Sequence, residues 1–452
     1  MAQEAARAYW RFTVLWLVAG SALGVLSALS LLAPEFLSAH PVFGFGRLVA
    51  AHRAVMIHGA LFAGVFASAY TLLPRLTQAP AVSGRSGWLL AWVGAAIVLA
   101  GVVSIMGGQG SGREYADLPS TLAFIFWLYL ICVALDLSAL LARSRAIAPG
   151  PSSGFLLMAS ILPAVVYPFA LPGWWGTGLF EAVRTWISWR AIFMLSFTAA
   201  GLGVGLWYLG AKGSRFRLDR GAFVIGAGLL VCLGPMMGVV HLLDAPILPG
   251  LKAVGALAGV LVAVGLVILV GAMWRGYVWD PPGLLILGGL GGIAAASVQG
   301  VVMVIPPLHS AFHFTSNTSG HAHLALGAVI LMMLGGAIAA APRISRRRLV
   351  LAERAYAAAG WFIVGLLVVF LTQTAAGVLQ AAAFTKGLSV PDWLPTFCWL
   401  QLGSILGGLG VLVGSVIFAR MVVCTVNAPS PRPALSATVA AGPGDAIEGG
   451  EG

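Results

Sequence analysis

Hydrophobic positions along this chain run in long blocks separated by short polar connections, not in the alternating or one-faced patterns of strands and surface helices. A helix needs roughly 20 apolar residues to cross about 30 Å of hydrocarbon. Blocks of that size lie at about 10–33, 52–73, 87–107, 119–142, 153–172, 185–210, 221–243, 250–274, 282–305, 318–341, 357–383 and 394–425. The pattern predicts an all-α membrane protein whose twelve transmembrane helices occupy residues 1–425 as one domain. Residues 426–452, rich in Pro, Ala, Gly and Ser, are expected to form a disordered cytoplasmic tail. The N-terminus shows no cleavable leader pattern, so the first block is read as the first span.

Composition sharpens this picture. The chain is 60% hydrophobic and 9% charged over 452 residues, with a mean hydropathy of +0.98, which excludes an ordinary soluble domain. Its net charge of +11 is best resolved loop by loop. With the N-terminus placed inside, eighteen of the 25 Lys and Arg residues fall on the cytoplasmic side, among them Arg75, Arg217, Arg346, Arg347 and Arg348. The other seven, including Arg47, Arg53, Arg113, Arg184 and Arg190, fall on the opposite side. That asymmetry places both termini in the cytoplasm. The basic balance therefore reports topology and not nucleic-acid binding. Cys132, Cys232, Cys398 and Cys424 stand singly, with no CxxC or CxxCH, so covalent c-type heme attachment is excluded.

The polar exceptions inside the blocks carry the chemistry. His321 and His323 lie two positions apart in the tenth block. Side chains at i and i+2 of a helix point about 200° apart, so one helix offers an imidazole to each of two neighbouring sites. With the topology above, His52 opens the second span, His241 ends the seventh, and His321 and His323 sit in the first turns of the tenth, all towards the outer face. Buried imidazoles in a membrane need partners, and heme iron supplies one. The blander alternative, a backbone carbonyl or water for each ring, suits a lone histidine better than a converging set. His58 is six residues after His52, about 240° round the helix, and reads as structural, bonded to a neighbouring helix. His309 and His313 precede the tenth span, and His40 reads as solvated.

At this point the residues resemble a known family. Phe45-Gly46-Arg47-Leu48 followed by His52, in a span closing on Leu73-Pro74-Arg75, resembles helix two of heme-copper oxidase subunit I. Gly320-His321-Ala322-His323 is similar to the GHxH segment of that superfamily. His313-Phe314-Thr315 is similar to the HYT of its C-family, cbb-type members, to which the nitric oxide reductases are related. Ala376-Gly377-Val378-Leu379-Gln380 resembles the AGxxQ of helix eleven, and the likeness runs from residue 10 to about 425. It implies that His52 and His323 are the axial ligands of a low-spin heme b and that His321 is the proximal ligand of a second heme. It also implies a bacterial or archaeal cytoplasmic membrane, and a periplasm-facing cytochrome or electron-donor subunit as partner.

The same resemblance exposes departures. The family holds a distal copper or iron with one histidine on helix six and an adjacent pair on helix seven. Here the sixth span reads Thr185-Trp186-Ile187-Ser188-Trp189-Arg190-Ala191-Ile192, without histidine, and the seventh reads Gly234-Pro235-Met236-Met237 where the family has GPHH. His241, alone and more than a turn further on, supplies no substitute set of three imidazoles. The eighth span, Ala253 to Met273, has no hydroxyl or charge for proton transfer, Gln299 stands where a glutamate is expected, and Leu400-Gln401 replaces an arginine pair. Copper is therefore not expected.

Met236 and Met237 have two readings: one of them caps the distal face of the second heme through its sulfur, or both fill the volume that two imidazoles and a metal have vacated. Arg190 likewise has two, a heme propionate or Glu181 and the outer surface, and His313 is a further candidate for propionate contact. The leading functional expectation is a membrane-bound b-type heme protein, with one or two hemes, acting in respiratory electron transfer. The alternatives are a terminal oxidase or nitric oxide reductase with an atypical distal site, and a heme-free transporter or assembly protein. Against the last stands the absence of a transporter-type repeat or loop signature.

Overall fold

The computed structural model describes residues 3–427 apart from 39, 80–83, 144–149, 172, 175 and 213–216. The expected tail from 428 onwards lies outside the described residues, as do Arg145, Arg215 and Arg432 of the charge count. Among the described residues the secondary structure is helical, with no strand.

Among the described residues eleven helices are long and apolar enough to cross a membrane, and a bent pair, counted as one broken span, brings the number to twelve. They are α1 (Glu4–Leu32), α2 (Phe45–Leu76), α3 (Gly84–Met106), α4 (Ser120–Leu141), α5 (Pro151–Ala170), α6 (Gly178–Lys212), α7 (Arg220–Leu233 with Pro235–Leu242), α8 (Pro249–Trp274), α9 (Pro281–Met303), α10 (Ser316–Ser345), α11 (Ala352–Lys386) and α12 (Val390–Asn427). The expected blocks and the observed helices agree within a few residues at most ends. The main correction is at α2, which begins at Phe45, so His52 sits two turns inside the helix and does not open it.

Burial sorts these helices into two classes. In the most apolar window of α2 and α6 94% of residues are buried, and in α10 83%, against at most 50% for every other unbroken span. These three central helices carry His52, His58, His321, His323 and Arg190, as expected where ionisable groups must face the bundle interior. Around them α1 packs against α12, α12 against α11, α9 and α11 against α10, and α5 against α6. Between α11 and α12 the backbones nearly touch, since a Cβ on Gly407 would lie 2.8 Å from the Gly365 carbonyl oxygen. Small residues let membrane helices gain packing where no hydrophobic force separates protein from lipid.

Local chemistry fixes the ends. Asp280 caps α9 by accepting from Gly283 N at 2.9 Å, and the same carboxylate takes the Tyr208 hydroxyl of α6. Asp219 caps α7 through Ala222 N at 2.7 Å. Such caps satisfy amide donors that the helix itself leaves free. Both central helices α2 and α6 loosen into a π-helical turn, at Val55–Leu61 and Ile192–Thr198. The extra residue in each π turn rotates the following side chains, and there the aromatic core meets: Phe62 and Phe197 rings lie 4.9 Å apart. His58 belongs to this core. Its Nε2 bonds the Tyr167 hydroxyl at 3.0 Å, a contact to the neighbouring α5.

Candidate functional site

On α1, Gly24 leaves the space into which the His52 ring fits; a Cβ there would lie 2.9 Å from His52 Cε1. His52 Nδ1 bonds the Gly20 carbonyl oxygen at 2.8 Å. On α10, His323 Nδ1 bonds the Ser319 carbonyl oxygen at 2.8 Å. A carbonyl only accepts, so each ring carries its proton on Nδ1 and presents the bare Nε2. The two rings face each other with centroids 6.0 Å apart and planes 21° from parallel. A first-row metal bonded to two imidazole nitrogens at roughly 2 Å each would hold the ring centroids ~6 Å apart. The chain thus supplies a gap of one iron's width between two rings whose tautomers are fixed for ligation, and an axial pair for heme fits it.

The turn that carries these histidines is held by the motif on α11. Gln380 Oε1 accepts from Ser316 N at 2.8 Å, and Gly377 lets α11 approach so closely that its Cβ would meet Asn317 Cβ at 2.5 Å. On α2, Arg53, the residue after His52, forms a two-point ion pair with Asp117 of the connection between α3 and α4, at 2.6 and 3.1 Å. Burial raises the Asp117 carboxyl above its ordinary value, against the pull of Arg53.

His321 points to the other side of α10. Its Nδ1 donates to Gln299 Oε1 of α9 at 3.3 Å, and Gln299 Nε2 donates to Asn317 Oδ1 at 3.0 Å. Gln299, noted in the sequence only for lacking charge, is a neutral clamp that fixes the His321 tautomer. His321 lines a cavity whose other walls include Arg190, Met194, Met237 and His241, with His309 and His313 also on it. Met236 is not part of the lining. Small residues such as Gly259, Ala263 and Gly300 leave this space open.

Here the structure corrects the expectation that His241 stands alone. After Gly234 and Pro235 the seventh span bends by 53° and continues as a tight 3-10 helix. Gly238 presses against α6, where a Cβ would lie 2.6 Å from Ile187 N and collide with the Trp186 carbonyl. The His241 ring consequently stacks on Trp186 at 3.8 Å and lies 6.2 Å from the His313 ring, itself 4.4 Å from His309. Arg190 Nη2 donates to His241 Nε2 at 2.7 Å, while Arg190 Nε has no partner. Glu181 is not its counter-ion, because that carboxylate bonds Arg113 at 2.5 Å and pairs with Arg184 at 3.9 Å. Arg190 therefore brings a cation to the cavity with only an imidazole to meet it, and an anionic group such as a carboxylate of a bound cofactor fits there.

At the rim, His309 Nε2 lies 3.2 Å and His313 Nδ1 3.5 Å from Asp244 Oδ2. Burial, and then the neighbouring His309, hold the His313 imidazole below its ordinary value. Asp244 carried no signal in the sequence, since nothing local ties it to histidines more than sixty residues away.

The comparisons follow this geometry. The family described as Cytochrome C and Quinol oxidase polypeptide I matches residues 4–410. A cytochrome c oxidase subunit 1 homolog of Agrobacterium tumefaciens (strain T37) is 24% identical over 451 positions, covering 92% of this chain and 82% of its own. The Cbb3-type cytochrome c oxidase subunit CcoN1 of Stutzerimonas stutzeri is 22% identical over 356 positions, 74% of each chain. Among solved structures, a heme-copper terminal oxidase dimer determined by cryo-EM superposes with a TM-score of 0.76 at 13% identity, over 95% of this chain and 85% of that one. At that identity the likeness shows the fold alone.

Proposed function

The chain belongs to the Cytochrome C and Quinol oxidase polypeptide I family, and from that premise we propose that it is a membrane-bound b-type heme protein of respiratory electron transfer that holds no copper in its second site. The single observation that carries this reading is the His52–His323 pair, two rings with centroids 6.0 Å apart whose Nδ1 atoms are taken up by backbone carbonyls, which leaves both Nε2 atoms free. When bound there, heme supplies a one-electron ferric/ferrous couple. The chain's part is to fix both ligands through the Gly20 and Ser319 carbonyls, so that neither ring turns as the charge changes. His321, clamped by Gln299, is the ligand offered to a second heme, with Arg190 as its anion partner and Met237 as the thioether for its open face. The single histidine of helix six and the adjacent pair of helix seven are missing from the sequence, and this supports the reading without copper.

The excess of basic residues on one side supports cytoplasmic termini. It leaves the Asp244 rim facing the periplasm, where a cytochrome or donor subunit would deliver electrons. The relatives named above are bacterial, which supports a bacterial cytoplasmic membrane.

A reduced-minus-oxidised spectrum with pyridine hemochrome quantification tests the proposal. A b-type signal of one or two hemes per chain is expected, and protein made with ample heme but lacking a Soret band would overturn it. One observation favours a second reading, an oxygen or nitric oxide reductase: the cavity beside His321 offers space for a small substrate. Sustained consumption of either gas by the purified chain would replace the first reading with the second.

A further inference from the structure

We propose that Asp244, His309 and His313 form a binding site for a divalent transition-metal ion of the zinc and copper(II) type, at the rim of the cavity that also holds His321. His309 and His313 are one helical turn apart at Pro306–Phe312 and its C-terminal end, so both rings leave the same face. The three donor atoms, one from each residue, lie within 4.8 Å of one another.

Tautomer logic makes the cluster more than a coincidence of polar groups. His309 Nδ1 faces the Met303 carbonyl oxygen at 3.1 Å and must carry the proton there. Its Nε2 is then a lone pair, and it points at a carboxylate oxygen 3.2 Å away. The side chain is only 3% exposed, and neither His309 Nε2 nor His313 Nδ1 makes a hydrogen bond. A buried lone pair aimed at a carboxylate, as that of His309 Nε2 is, repels it unless a positive charge lies between them. A metal ion supplies that charge and takes all three atoms as ligands.

The donor set selects the ion. Two imidazoles and one carboxylate suit a borderline transition ion, whereas calcium and magnesium prefer oxygen throughout. Ser310 Oγ donates to Asp244 Oδ1 at 2.9 Å, which leaves Oδ2 for the metal and orients it from the outer shell. Asp244 is 36% exposed, which gives the ion access and leaves room for water ligands. The position differs from the Met236-Met237 segment, where the family's paired histidines would stand. An ion here adds fixed positive charge to a cavity that already contains Arg190, and so favours an electron on a group held by His321.

Equilibrium dialysis of the purified full-length chain against Zn2+, after chelator stripping, with zinc and heme iron counted separately, tests the proposal. One zinc per chain is expected, weakened roughly 100-fold or more in Asp244→Asn and in His309→Gln, and about 10-fold in Ser310→Ala, each with the His52–His323 spectral component unchanged. Should the two ligand variants fail to fold, Ser310→Ala, which keeps every ligand, still reports on the site. No stoichiometric zinc at micromolar concentration means that a proton bridges the cluster, and it would overturn the proposal. So would equal zinc binding in wild type and all variants. Heme content decides the heme proposal independently of either result.

Discussion

The two sides of α10 differ in what holds them. On the His323 side, both imidazoles bond backbone carbonyls, and the opposite ring comes from α2, another central helix. On the His321 side most of the positioning groups are side chains, Gln299 for His321, Arg190 and Trp186 for His241, Asp244 beside His309 and His313, and only His309 also meets a backbone carbonyl, that of Met303. A carbonyl cannot be mutated away and offers one geometry, whereas side-chain partners can be exchanged one at a time. On the proposed heme reading, the difference teaches that one site can be kept by backbone constraint while the other is open to change one side chain at a time.

The largest effect available tests that contrast directly. His323→Leu, or His52→Leu, is expected to remove one heme equivalent and with it the six-coordinate, bis-imidazole signature in low-temperature absorption or EPR. His321→Leu is expected to leave that signature in place and to alter only what remains of the spectrum. Loss of the same spectral component in both helix-ten variants would merge the two sides into one site.

Much of this was legible from sequence, and for local reasons. Apolar runs announce spans without any tertiary knowledge, and the spacing of His321 and His323 fixes their opposite directions on any helix. Which spans lie inside was only faintly legible: α2 and α6 have hydropathies of 1.6 and 1.7, the lower end of a range that reaches 2.8 in α8. The polar residues that lower these values are the ones the interior shelters. His241 was read as standing alone because a straight helix gives no sign of its neighbours. The bend after Gly234 and the contact of Gly238 with the α6 backbone are tertiary facts, and they turn it back. Gln299 was visible, but its meaning as a clamp depends on α9 meeting α10 at that depth.

Gly238 is therefore the position whose change separates the two sides next most strongly. Gly238→Leu has no room against Ile187 and Trp186 and should cost about 1–3 kcal/mol as an overpacked contact. It should lower the thermal midpoint and move His241 off Trp186 and Arg190, while the His52–His323 signature persists. A variant with wild-type stability and an unchanged second-site spectrum would mean that the 3-10 segment does not depend on this approach.

Arg190→Leu is a milder perturbation with a sign that discriminates. Removing a cation that has no carboxylate partner also removes its desolvation cost, so stability should stay level or rise. Retention of the second heme should fall about tenfold, the scale on which supporting groups act on a bound metal centre. The low-spin heme should be unaffected. Unchanged content of both hemes would detach Arg190 from any cofactor role and leave it as the partner of His241.

Met237→Leu is the smallest change and addresses the open face of the His321 site. The swap nearly conserves volume and should cost under about 1.5 kcal/mol, so folding and heme content are expected to survive. Leucine fills space as methionine does but offers no sulfur. If the thioether caps the iron, the ferrous wild type should resist carbon monoxide, and the variant should bind it readily and gain a high-spin component. If Met237 only occupies the volume left by the missing imidazoles, wild type and variant should bind carbon monoxide alike. The measurement is a titration of the dithionite-reduced chain, read at the Soret band, with His323→Leu as a control that removes the low-spin background. Met236→Leu should change nothing, because that side chain is not part of the cavity wall. An equal response from both methionines would return the site to the symmetric reading that the sequence alone permits.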